Sequence, residues 1–161
     1  MRSVFLIFAA LVLCAASCEK TTPADGARTD AKLVKALQDT PQSLVVDGKT
    51  LLLSTELWRD FMPSVGKAER SLRAAVSISA QDNESLPSNL IFKRMVVLNG
   101  DSVWVQTMVN SERSDDIRLK ANTTGGPEWT PDSQVDVVVE FMYQEKDYKL
   151  RQNSVQIRAT Y

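Results

Sequence analysis

Along most of the chain, apolar and polar residues alternate with the two-residue period of strands buried on one face. Leu72, Ala74, Val76, Ile78 and Ala80 alternate with Ser71, Arg73, Ala75, Ser77 and Ser79. Val135, Val137, Val139, Phe141 and Tyr143 alternate with Gln134, Asp136, Val138, Glu140 and Met142, and Ile117, Leu119 and Ala121 with Arg118 and Lys120. Two hairpins are marked by turn chemistry. Asp47-Gly48 joins Ser43–Val46 to Lys49–Leu53, and Asn99-Gly100 joins Leu90–Leu98 to Val103–Val109, because such pairs tolerate the positive φ of tight hairpin turns. Both faces of the second hairpin are apolar, so its inner face is not assigned by pattern. The final segment starts on Tyr148 and Leu150 and changes phase to Val155, Ile157, Ala159 and Tyr161, which predicts a bulge or a change of sheet across Arg151–Ser154.

Upstream of Ser43 the period changes. Leu33, Val34 and Leu37 share one face of a short helix over 31–38, capped by Asp30 and too short to stand without docking. Glu19–Lys32 is polar and carries Pro23 and Gly26, which reads as a flexible tether. Seven or eight short strands over 43–161 predict an all-β domain. The expected form is an antiparallel β-sandwich of immunoglobulin-like or fibronectin-type-III-like kind, with a small antiparallel barrel as the alternative.

The amino terminus follows another rule. Arg2 precedes an unbroken apolar run from Val4 to Leu13, short for a bilayer-spanning helix and of the right length for a signal-peptide core. Ala15-Ala16-Ser17-Cys18 then resembles the lipobox of bacterial lipoproteins, with Ala15 where Leu is commoner. The resemblance implies cleavage after residue 17, lipid on Cys18 and attachment to the cell-envelope membrane. Two or more acyl chains anchor stably where one does not. Glu19 after the cysteine leans toward the outer membrane. The expected organisation is a signal peptide over 1–17, a lipidated cysteine, tether and helical lead-in over 18–42, and the β domain over 43–161.

Composition narrows the chemistry. The chain has 161 residues, 19 Lys and Arg against 20 Asp and Glu, no His, and two cysteines, both within the first 18 residues. Balanced charge argues against nucleic acid as partner. Once residues 1–17 are removed, disulfide frameworks, Cys/His zinc sites and His-dependent nucleophiles are excluded by inventory. No cofactor or metal is expected. The acidic residues Asp82, Glu84, Asp101, Asp115, Asp116, Asp136 and Glu140 lack calcium-loop spacing and read as turn and surface residues.

The aromatic clusters are the remaining candidates. Trp58, Arg59 and Phe61 fall in Glu56–Pro63, where strand periodicity is interrupted, and Trp129 lies in the proline-bounded loop Gly125–Pro131. Loop tryptophans can stack on sugars or anchor a protein, or can simply plug the end of a core; Trp104, inside a hairpin, reads as core. Leu57–Pro63, Asn99–Trp104 and Gly126–Val139 resemble small exported bacterial proteins with one sandwich domain, a likeness that brings no catalytic residues. The expected function is therefore a non-enzymatic, lipid-anchored envelope protein that binds a protein partner or an envelope glycan through Trp58, Arg59, Phe61 and Trp129. The alternatives are a periplasmic inhibitor or immunity-type protein, with Asp82–Ser85 or Ser111–Asp116 as protruding loop, and a hydrolase using Ser-Lys or carboxylate chemistry.

Overall fold

The computed structural model describes residues 25–62, 70–109 and 111–161. The signal peptide, Cys18 and the first part of the expected tether lie outside these residues. The described chain is all-β apart from one short helix. The elements are β1 (Gly26–Thr29), α1 (Ala31–Leu37), β2 (Ser43–Val46), β3 (Lys49–Asp60), β4 (Leu72–Ala80), β5 (Ile91–Asn99), β6 (Ser102–Thr107), β7 (Ser111–Asp115), β8 (Arg118–Gly126), β9 (Gln134–Tyr143) and β10 (Lys146–Thr160). They form one curled, mixed sheet of ten strands in the order β1-β6-β5-β9-β10-β3-β4-β8-β7, with β2 also on β3.

β10 is the corner of the curl. Its first part pairs antiparallel with β9, its register slips between Gln152 and Val155, and from Ile157 it runs parallel to β3. The slip, with Ser154 at positive φ, answers the phase change in the sequence: the extra residue bends the strand and turns its later side chains to a new face. The parallel pairing of Ile157–Thr160 with Leu57–Asp60 corrects the expectation of a wholly antiparallel arrangement.

The curl has two halves, β1-β6-β5-β9 and β2-β3-β4-β8-β7, whose inner faces share one core. Leu51, Leu57, Leu72, Ile78, Met95, Val97, Trp104, Val137, Phe141, Leu150 and Ile157 are almost fully buried in it. Trp104 of β6 lies directly against Gly126 of β8. A Cβ at that glycine would sit 2.8 Å from the indole and 2.9 Å from Leu72 Cβ, so the ring needs a residue without a side chain opposite.

A second, smaller core answers the two-faced hairpin. Val96, Leu98, Val103, Val105 and Val138 point away from the main core and are covered by Leu37, with Leu33 and Val34 beside it. Asp30 caps α1, its side chain accepting from Leu33 N at 3.0 Å, and Asp30 N donates to Asp101 O at 2.9 Å, which ties the helix start to the β5–β6 turn. A seven-residue helix holds because it docks.

Three boundaries differ from the sequence reading. Gly26–Thr29, expected as tether, pairs with Ser102–Val105 as β1, an edge strand made by backbone hydrogen bonds without an apolar pattern. β3 continues to Asp60 rather than breaking near Glu56, because Thr55 and Arg59 occupy inner positions that apolar residues would normally fill. Of Ser111–Asp116, offered as a protruding loop, Ser111–Asp115 is edge strand β7. In the β5–β6 hairpin Asn99 pairs with Ser102, so the turn is Gly100-Asp101 with only the glycine at positive φ.

Candidate binding surface

Long strand β3 divides the aromatic cluster between two surfaces. Its odd-numbered residues from Leu51 to Arg59 face the core and its even-numbered residues from Leu52 to Asp60 face outward. Trp58 and Arg59 are therefore adjacent in sequence and opposed in space.

Arg59 closes one end of the core. Its guanidinium donates through Nε to Arg70 O at 2.8 Å, through Nη1 to Glu128 O at 3.2 Å and Trp129 O at 3.0 Å, and through Nη2 to Glu128 Oε2 at 2.8 Å. Only 6% of the residue is exposed, so these bonds hold a charge away from water and fix the 127–130 loop. Phe61 stacks on Tyr161 with ring centroids 5.9 Å apart, and the guanidinium carbons of Arg59 and Arg70 lie 5.1 and 5.8 Å from the Phe61 centroid. Trp129 is half-buried and packs on the main core. Arg59, Phe61 and Trp129 thus meet at one end, where the hydrogen bonds and stacking tie chain segments together. Trp104 is core, 1% exposed.

Trp58 belongs to the outer face of the second half, half-buried between two cations in register: Arg158 of β10 on one side and Arg73 of β4 on the other. Successive rows along the same face are Glu56–Ala75–Asn122, Ser54–Ser77–Lys120 and Leu52–Ser79–Arg118. Small side chains in the middle leave a shallow concavity of about 300 Å³ lined by Ser54, Glu56, Ala75, Ser77, Lys120 and Arg118. Among the described residues Arg73, Arg118, Lys120 and Arg158 make no ion pair, and Arg73 Nε is buried without a hydrogen-bond partner. No described element packs over this face.

The acidic residues weighed in the sequence are mostly engaged. Glu140 pairs with Arg94 and, at 3.0 Å, with Lys149; Asp136 accepts from Arg151 Nη2 at 2.6 Å and Ser154 N at 2.9 Å. Glu84 pairs with Lys49, and Asp115 accepts from Ile117 N. Among the described residues no group of three or more His, Cys, Asp or Glu side chains could hold a metal ion, and no helix is long and apolar enough to cross a membrane. The Tyr143 phenol is raised above its ordinary 10.0, first by burial and then by the Asp47 carboxylate in the β2–β3 turn.

Arg73, Lys120, Arg158 and the serines were not singled out from sequence as a site. The signal available was the outward-facing partner set of the clearest strand, Leu72–Ala80, whose small residues leave room above the sheet. A search against protein-family models, curated proteins and solved structures finds no match to this chain.

Proposed function

We propose that the protein is a non-enzymatic binding module of the bacterial cell envelope, held at a membrane by lipid on Cys18, with the outer face of β3, β4 and β8 as its contact surface. The carrying observation is that this face combines a half-buried tryptophan, small polar residues and cations that, among the described residues, have no ion pair and no covering element. In this reading the curled sheet is a sandwich of immunoglobulin-like kind, supported by its two facing halves, with the parallel β10–β3 pair as a departure. The Arg59–Phe61–Trp129 end serves to hold the scaffold, and Glu19 favours the outer membrane.

Two measurements test this. Membrane fractionation of Cys18→Ala, beside globomycin-treated cells, should release the variant and leave the uncleaved precursor; a Cys18→Ala protein still in the membrane after a salt wash contradicts the anchor. A photo-crosslinking residue at position 77 should capture an envelope component in intact cells, and one at position 35 on α1 should not. Equal capture, or none at position 77, contradicts the surface.

A further inference from the structure

Resting on that reading of the surface, we infer that its ligand is a carboxylate-bearing glycan strand lying along β3, β4 and β8. Over the middle of the concavity recognition comes from side chains, because β4 is paired along its length with β3 on one side and β8 on the other. Strand addition by a peptide, which needs an open edge, is not available at β4. What remains is an aromatic ring, hydroxyls, an amide and cations, a set suited to sugars. Trp58 offers a stacking surface for a sugar ring, Ser54, Ser77, Ser79 and Asn122 offer donors and acceptors, and Arg73, Arg158, Lys120 and Arg118 offer partners for carboxylates.

The spacing separates these functions. Trp58 and its flanking arginines stand two rows from Lys120 and three from Arg118, which is roughly 14 and 20 Å along the strands at two residues per row. A ligand reaching both must be extended, with charges spaced apart. Glu56, exposed and in the row between them, sharpens the choice. It repels a densely charged polyanion such as a nucleic acid, while accepting hydrogen bonds from the hydroxyls of a ligand that carries one carboxylate on each of several rings.

Titration of the intact protein in mild detergent with polygalacturonate and alginate, followed by tryptophan fluorescence and calorimetry, tests this directly. Neutral dextran, polyglutamate and a single-stranded oligonucleotide of matched length serve as comparisons. The acidic glycans are expected to bind and to weaken as salt rises. Trp58→Ala is expected to weaken them about tenfold or more, the size of a lost ring-stacking contact. The double change Arg118→Ser with Lys120→Ser should weaken them as well and flatten the salt dependence. Ser77→Glu, which changes no buried contact, should abolish binding while leaving the circular dichroism spectrum and melting temperature unchanged. Overturning results are absence of binding by both acidic glycans, equal binding of dextran, tighter binding of polyglutamate or of the oligonucleotide, or indifference to Trp58→Ala. Absence of glycan binding with the position-77 crosslink intact would overturn the ligand and leave the surface standing. Absence of both would overturn the two together.

Discussion

The two outer faces of the curled sheet are built from similar strands and finished in opposite ways. On β5, β6 and β9 the outward residues are apolar where α1 covers them, and the charged residues around that patch pair within the chain, Glu140 with Arg94 and Lys149, and Asp136 with Arg151. On β3, β4 and β8 the outward residues are mostly small or cationic, with Leu52, Glu56, Asp60 and Asn122 beside them; Trp58 stands among them, and no described element covers them. The cations of the first face are ion-paired within the chain, although Arg94 Nε, Arg94 Nη1 and Arg151 Nε are buried without a hydrogen-bond partner. The second has cations without an ion pair among the described residues and an aromatic ring that no described element covers. The difference between the faces is one of ion pairing and of cover, and it is this pair of features that singles out the outer face of β3, β4 and β8 as the proposed contact surface.

If the covered face is structural, damage there should cost stability and spare binding. Leu37→Ala removes the only almost fully buried side chain of α1 from the second core and should cost about 3 kcal/mol in chemical denaturation, with position 77 still crosslinking. Gly126→Ala tests whether the two halves are pressed together as described. The added methyl meets Trp104 and Leu72, and about 2 kcal/mol should be lost, partly recovered by a smaller ring at 104. Asp30→Ala removes the helix cap and should cost about 1 kcal/mol, with faster amide exchange confined to α1. Arg118→Ser with Lys120→Ser should change stability by less than about 0.5 kcal/mol, since neither side chain has an ion-pair partner among the described residues, while binding falls. A large loss of stability in that last pair, or a loss of binding in the first variant at temperatures where it is folded, would break the contrast.

Much of this was legible in the sequence where local chemistry and global packing agree. Asp47-Gly48 made the turn it predicts, the 31–38 helix formed on its cap and its apolar face, and the phase change after Leu150 became the slip at which β10 changes partners. The two-faced hairpin could not be assigned, because its second face is paired with a helix some sixty residues earlier and periodicity carries no information about distant partners. β1 was hidden because an edge strand can be held by backbone alone. The end of β3 was hidden for a different reason: Arg59 sits at a core position, and a buried arginine looks like a break in the pattern until the carbonyls of Arg70, Glu128 and Trp129 are seen around it. The same alternation divides the aromatic cluster between two surfaces. Trp58, Arg59 and Phe61 form a cluster along the chain, yet strand alternation sends Trp58 to the open face and Arg59 to the core.

The proposed contact surface requires the outer face of β4 to be open in the isolated protein and occupied in the envelope. A single cysteine in place of Ser77 reports this directly, with Lys35→Cys on exposed helix α1 as its companion. The expected result is that both react rapidly with a maleimide in purified protein, and that in native envelopes the cysteine at 77 is protected while the one at 35 reacts as before. Equal reactivity of the two positions in native envelopes would contradict the account.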